Sequence, residues 1–350
     1  MIMRRGVVII TIVLLFPLLV MAQKGGESTY SFLGLTNSAR VAALGGEVVS
    51  IHDSDINLVF HNPSLLNSSM HSNLSLNYVN YFAGVNFGYA SYGYSVEGVG
   101  NFAAGMHYVD YGTFDRTDEL GQSMGTFRAS EYALNLIYSR PIIENRLFAG
   151  ANLKPIYSTL EQYSSFGIGL DIGLTYYQPK SLTTVGLVVK NVGFQITSYT
   201  TQREKLPFEI QAGLTQGLAH APFRFNITFQ HLERWDLTYK QTDEGNLNSL
   251  GGEIEKSGFD VFGDKLMRHM IFGVEFLLGE NFHVDLGYNY KRRKEMKVNA
   301  RPGTVGFSWG FGFKISKFHF AFGRASYHLV GGTSHFSLTT NLSEFYRKQE

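Results

Sequence analysis

Between Met270 and Tyr290 the apolar positions recur at every second residue, on both sides of a glycine turn. Met270, Phe272, Val274, Phe276 and Leu278 alternate with Ile271, Gly273, Glu275 and Leu277, and Gly279-Glu280-Asn281 then reverses the chain. Beyond the turn Phe282, Val284, Leu286, Tyr288 and Tyr290 alternate with His283, Asp285, Gly287 and Asn289. A period of two places successive side chains on opposite faces of a sheet, so the stretch is a β-hairpin. One face is large and apolar; the other is mostly charged, amide or glycine. Each strand runs about ten residues, the length that crosses a bilayer on a tilt, whereas strands of soluble sheets average about five or six.

The same alternation recurs from Asn73 to the end of the chain. It predicts about fourteen strands, over 74–83, 84–94, 99–111, 130–140, 145–157, 166–177, 182–192, 206–217, 222–233, 267–278, 282–291, 304–315, 316–328 and 334–342. Another even count fits if two boundaries shift. Some faces are clean: Phe166, Ile168, Leu170, Ile172, Leu174 and Tyr176 oppose Gly167, Gly169, Asp171, Gly173 and Thr175. Likewise Val305, Phe307, Trp309, Phe311, Phe313 and Ile315 oppose Gly306, Ser308, Gly310, Gly312 and Lys314. Apolar residues face lipid, and small or polar ones face the lumen. Connections after even-numbered strands are short; the longest after odd-numbered strands are 112–129, 193–205, 235–266 and 292–303. An even strand number, short periplasmic turns and long outer loops characterise bacterial outer-membrane barrels, which places both termini in the periplasm. Ala83-Gly84 is the exception, a tight outer turn.

The first 72 residues follow other patterns. Arg4 and Arg5 precede an apolar run from Gly6 to Val20 and small residues before Gln23, so residues 1–22 read as a signal peptide. Residues 23–72 do not alternate. Thr36 to Leu44 has a capping residue, alanine-rich helical spacing and a Gly45-Gly46 stop, which predicts one short helix. Asn62-Pro63 is an N-cap with proline at N1, predicting a second through Ser64, Leu65 and Leu66. Too small to fold alone, this segment is expected to be a plug inside the barrel. The expected organisation is thus signal peptide 1–22, plug 23–72, all-β transmembrane barrel 73–345 and a short tail 346–350.

Composition narrows the picture. Cleavage of the signal leaves 28 Lys plus Arg, after loss of Arg4 and Arg5 from 30, against 29 Asp plus Glu, and so gives no bulk charge to attract nucleic acid. The absence of cysteine means that an exported chain of this length holds together without disulfides, which a closed barrel does through its inter-strand hydrogen bonds. The 38 Gly, 28 Phe and 20 Tyr suit a barrel with aromatic girdles and small residues on its inner wall.

Candidate chemistry is sparse. No Gly-x-Ser-x-Gly elbow is present, and His107, His231, His283, His319 and His328 fall in predicted strands where a lumen or rim position explains them, so the chain reads as a non-enzyme. His52, Asp53, Asp55 and His61 cluster in the plug with neither EF-hand nor zinc spacing, and bonding to the lumen wall is the favoured reading over a metal. Asp115 to Glu119 is read as a solvated loop rather than a Ca²⁺ loop. No cofactor is expected. Lys190, Arg224, Glu275 and Asp285 join Asp171 as lumen-facing charges of mixed sign, which suits a cross-braced interior. Two outer loops carry opposite charge. Lys291, Arg292, Arg293, Lys294, Lys297 and Arg301 face Glu295, while 235–266 is rich in Asp and Glu. They either pair with each other or form a docking surface for a protein or for lipopolysaccharide phosphates, with Trp235 and Phe259 as anchors beside Arg292, Arg293 and Lys294.

A plug followed by such a barrel resembles the FadL-like outer-membrane family, whose plug motif Asn-Pro-Ala stands here as Asn62-Pro63-Ser64. More specifically, Gly25 to Leu33, Ser38 to Gly46, Phe60 to Asn67, Leu76 to Gly84 and Tyr111 to Glu119 resemble the PorQ-like, PorV-related barrels of the Bacteroidota type IX secretion system. That resemblance covers about the first 100 mature residues by motif and the remainder by architecture and length. It implies a part in the machinery that attaches cargo to lipopolysaccharide, holding a PorZ-like surface protein as PorV holds PorU. It carries no catalytic residue over. The FadL-like resemblance implies instead a channel for hydrophobic small molecules. A gap in the wall and an apolar pocket above the plug would favour the channel.

Overall fold

The computed structural model describes residues 28–238, 258–279, 281–296, 303–328 and 331–346. The expected signal peptide, Gly25-Gly26, Glu280, Lys297, Arg301, much of the acidic loop and residues 347–350 of the tail lie outside the described residues.

Fourteen antiparallel strands close into one barrel, in which each strand pairs with its sequence neighbours and the first pairs with the last. They are β1 (Asn73–Asn80), β2 (Asn86–Val96), β3 (Gly100–Thr117), β4 (Ser123–Ile143) and β5 (Leu147–Leu160). Next come β6 (Tyr163–Gln178), β7 (Thr183–Thr197), β8 (Glu209–Gly217), β9 (Phe223–Phe229) and β10 (Met270–Leu277). The ring ends with β11 (Phe282–Asn289), β12 (Phe307–Ile315), β13 (Phe318–His328) and β14 (Gly331–Asn341). Closure runs Asn73↔Asn341 to Asn80↔Ser334, so no edge is left to pair with another chain. The alternation is the one expected: Leu76, Tyr78, Ile172, Leu174, Phe307 and Trp309 stand exposed on the outer face, while Ser75, Asn77, Asp171, Thr175 and Ser308 are buried within.

Several boundaries differ from the sequence reading. β3 and β4 run past the expected ends to Thr117 and Ser123, so the presumed long loop 112–129 is a projecting hairpin. Thr113↔Arg128 and Phe114↔Phe127 continue the ladder, and the Phe114 and Phe127 rings stack at 5.2 Å, which holds the extension together outside the band of apolar side chains. Two other long connections contain helices, α2 (Gly258–Arg268) and α3 (Tyr290–Met296), besides α1 (Ala39–Ala43) in the plug and α4 (Ser343–Tyr346) after β14. β9 stops at Phe229, so His231 sits beyond the strand, between Glu209 and Glu233. Val305 precedes β12 and is buried instead of facing lipid.

The ring encloses residues 29–72. Ile56, Leu58, Val59 and Leu65 are fully buried there, each contributing roughly 1.5–3 kcal/mol by leaving water. α1 begins after Ser38, whose side chain makes no cap bond; Ala39 N instead donates to Ser337 Oγ on β14 at 3.0 Å. Asn62 caps a 3-10 turn, Pro63–Leu65, accepting from Ser64 N at 3.1 Å. The plug backbone approaches the wall so closely that a Cβ at Gly150 would overlap Pro63, and one at Gly173 would overlap Asn62. The glycine content of the inner face is therefore a packing requirement of the plug.

The plug crosses the whole lumen. Ser28 bridges to Lys205 in the connection after β7, at the end carrying the long connections, here the loop end. At the opposite turn end Asn73 Nδ2 donates to Ser54 O at 3.1 Å, and α4 lies beside Lys317. The C-terminal helix and the first described residue thus lie at opposite ends of the barrel; the two termini, expected on one side, lie outside the described residues.

Candidate functional site

Two regions of the interior differ in chemistry. In the turn-end half, the plug is fixed by an ion-pair lattice. Arg40 of α1 contacts Asp53 at 2.7 Å, Asp55 at 3.1 Å and Glu275 of β10 at 2.8 Å. Arg224 of β9 bonds the same Glu275 and reaches Asp53 at 3.1 Å. Glu275 is fully buried, and a carboxylate removed from water persists when cations and hydrogen bonds occupy its oxygens. Further around the wall Lys190 reaches Glu47 at 3.4 Å, Glu47 meets His61 Nδ1 at 2.9 Å, and Lys154 pairs with Asp171 at 2.6 Å. The lumen-facing charges inferred from alternation are all inside and paired; Arg40, Glu47 and Lys154 complete them.

Neutral bonds reinforce the seat. Ser64 Oγ lies 2.7 Å from Thr175 Oγ1, Asn62 Nδ2 donates to Val49 O at 2.8 Å, and Ser50 Oγ lies 2.8 Å from Thr215 Oγ1. Asn62, Pro63 and Ser64 therefore sit where plug meets β5 and β6. Asp53 and Asp55 are engaged by Arg40, His61 by Glu47, and His52 lies 4.9 Å from the rings of both Phe148 and Tyr177, so the four residues considered for a metal point to different partners.

At the loop end the interior turns apolar. Tyr30, Phe32 and Leu33 pack with Phe87, Val109, Ala133, Ile156 and Leu206, rimmed by Tyr81, Tyr111 and Tyr199. His107 lies at the base, 5.4 Å from Phe32 and from Phe60, with neither ring nitrogen bonded among the described residues. These side chains fill the space as a packed cluster: Tyr30, Phe32 and Leu33 come from the chain's own N-terminal segment and most of the others from the wall, and the segment is held by Thr29 N to Lys205 O at 2.9 Å and Tyr30 OH to Ser165 Oγ at 2.5 Å.

Beside this cluster the ladder of the wall is interrupted. The β7–β8 ladder stops at Lys190↔Glu209, although β7 continues to Thr197. Asn191 breaks it, with φ of 59° and its N–H turned to Asp171 Oδ1 at 2.7 Å. Beyond that point residues 204–208 lie against β7 through side-chain bonds, Asn191 Nδ2 to Pro207 O at 2.8 Å and Glu204 N to Gln195 Oε1 at 2.7 Å. Leu206 points inward as part of the apolar cluster, while Val192, Phe194, Ile196 and Phe208 face outward. The alternation of β7 gave no sign of this break, because the bulge lies at Asn191 and the residues after it remain alternately apolar.

The loop residues singled out from sequence are only partly brought together. Lys294 pairs with Asp264 of α2 at 3.3 Å, and Tyr290 OH donates to the same carboxylate at 2.8 Å. Arg292 donates to Gly45 O of the plug at 3.2 Å, and Arg293 to Val305 O at 3.2 Å. Lys294 thus meets the acidic segment, whereas these bonds of Arg292 and Arg293 run to backbone oxygens of the plug and of the connection before β12. Trp235 stacks with Phe262 at 5.4 Å and His269 at 5.8 Å, and Phe259 is 82 % exposed.

No family model and no curated protein matches the chain. Among solved structures it is similar to the toluene transporter TbuX of Ralstonia pickettii, with TM-score 0.52 and 12% identity over 88% of this chain and 98% of that one. The deltaS2 mutant of the monoaromatic hydrocarbon channel TodX, a protein of Pseudomonas putida, aligns with TM-score 0.50 and 13% identity, over 87% of this chain and 97% of that one. At these identities the likeness is one of fold.

Proposed function

We propose that the chain carries hydrophobic small molecules across the outer membrane, taking them in at the loop end, where they displace the plug's N-terminal side chains from the apolar cluster, and releasing them sideways through the wall between β7 and β8. The observation that carries this reading is the juxtaposition of that apolar cluster with a stretch of wall lacking its ladder. A lipid-soluble ligand gains nothing from a water-filled pore, and here the turn-end half is closed by paired charges. A lateral route requires that Leu206 and the 204–208 segment move aside, breaking the Thr29 N to Lys205 O bond and a few side-chain bonds of about 1 kcal/mol each. The names of the similar solved structures, a toluene transporter and a monoaromatic hydrocarbon channel, point to the same substrate class. In this proposal the loop end faces outward, following the loop-length rule.

A second reading rests on the sequence segments that resemble PorQ-like barrels, and on the ordered face that α2 and α3 build at the loop end. In it the barrel is a non-enzymatic component of type IX secretion that holds a PorZ-like protein, alongside PorU and PorV, while cargo joins lipopolysaccharide. One experiment separates the two: deletion of the gene in its own host, followed by both uptake of long-chain or aromatic hydrophobic compounds and localisation of proteins bearing the type IX C-terminal domain. Lost uptake with normal cargo maturation supports the carrier. Cargo held uncleaved in the periplasm with uptake intact supports the secretion component and rejects the carrier.

A further inference from the structure

The outer face of β2–β4 holds a recess of about 360 Å³, within the range of roughly 300–1,000 Å³ typical of small-molecule sites. Its shape follows from one small residue. Across the three strands Tyr92, Ala104 and Leu136 form one outward row, and Tyr94, Phe102 and Tyr138 form the next row toward the turn end. Ala104 leaves a hollow that these larger side chains wall in. Tyr138 is held upright, its OH donating to Val99 O at 2.9 Å and its ring 5.0 Å from Phe102. The phenols of Tyr92 and Tyr94 have no hydrogen bond among the described residues.

Two residues beyond Tyr138 on the same outward column stands Arg140, opposite Ala149 of β5. It is exposed and forms no ion pair among the described residues. A guanidinium at the edge of an apolar band keeps its head at the polar boundary of the membrane, where lipid phosphates lie.

We propose that this recess is a binding site for one anionic glycerophospholipid of the turn-end leaflet, its acyl chain over Ala104 and its phosphate on Arg140. The surroundings select this occupant: the site opens to the membrane, its lining is apolar and aromatic, and Arg140, on the same outward column as Tyr138, is a cation able to bond phosphate oxygens in a fork. The Tyr92 and Tyr94 hydroxyls suit the ester carbonyls between chain and phosphate.

Native mass spectrometry of the intact barrel tests this, with phosphatidylglycerol or phosphatidylcholine added at equal ratio to wild type, Ala104→Phe and Arg140→Gln. Wild type is expected to retain one phosphatidylglycerol in preference to phosphatidylcholine. Ala104→Phe, which fills the hollow, should lower retention of both lipids; Arg140→Gln should weaken phosphatidylglycerol about tenfold, a charge-assisted bond's worth, and remove the preference. Heat-modifiable migration checks that each variant is a folded barrel, and Arg140→Gln alone decides the matter if Ala104→Phe does not fold. Equal retention of both lipids by wild type, or a phosphatidylglycerol preference that survives Arg140→Gln, overturns the proposal. So does unchanged retention in folded Ala104→Phe.

Discussion

Arg40 touches three carboxylates, two on the plug and one on the wall, and so ties Asp53, Asp55 and Glu275 into one unit. Replacing it with Met leaves those carboxylates with Arg224 as their remaining cation, and breaking a buried pair in this way costs about 3–5 kcal/mol. Arg40→Met should therefore lower the temperature at which the purified barrel loses its heat-modifiable migration, and Arg40→Lys, which keeps the charge but not the fork, should fall between. A second residue-scale prediction concerns Gly173, where a side chain would collide with Asn62. Gly173→Val should yield a barrel that assembles but whose plug is cut by added protease; an intact plug would show that the close approach is unnecessary. The wall's members of these contacts were legible in the sequence, since alternation alone turns Asp171, Lys190, Arg224 and Glu275 inward. Their partners were not, because Arg40 lies in an alanine-rich helical segment that carries no mark of burial, and its bond to Glu275 joins positions 235 residues apart.

At the level of elements, α2 and α3 are joined through Asp264. Burial pushes this carboxyl up, but Arg268, Tyr290 and Lys294 outweigh it and hold it below its ordinary value of 3.8. A carboxyl depressed in the folded state stabilises the contact at pH above that ordinary value and ceases to do so as pH falls below it. A spin label at Asp260→Cys, the only cysteine in such a chain, should stay ordered at neutral pH and become mobile as the acid range is entered. Asp264→Asn should be mobile throughout. Exposed partners limit the effect to about 1 kcal/mol each, so the barrel itself should persist. Strand periodicity located each wall element, though the outer ends of β3, β4 and β7 run five to seven residues past the expected ones, because lipid on one side and the plug on the other enforce the alternation. The helices of the long connections were hidden. α2 contains Gly258 and Gly263, poor helix formers, and gains order from its contacts with α3. The β3–β4 hairpin was shortened in the reading because its end leaves the membrane, where both faces are wet and the apolar column fades.

For the molecule as a whole, closure, strand number and the presence of a plug follow from period, loop lengths and the non-alternating first segment. The route of that segment does not, since its place at the loop end depends on contacts between positions far apart in the chain, Ser28 and Thr29 with Lys205 and Tyr30 with Ser165. The break between β7 and β8 was equally hidden, being a matter of register rather than of composition. Both belong to the account of how a ligand would pass. The chain's lack of cysteine makes that account directly testable with Gln195→Cys and Glu204→Cys, positions joined by the Glu204 N to Gln195 Oε1 bond. The double variant would be produced in cells lacking their own hydrophobic-uptake barrel and bridged by a short reversible thiol cross-linker. Uptake of a radiolabelled long-chain or aromatic compound would then be followed before bridging, after it and after reduction. The lateral route predicts that uptake falls at least tenfold on bridging and returns on reduction, with each single variant unaffected. Uptake that is indifferent to the bridge, or no uptake by the folded unbridged barrel, would contradict it.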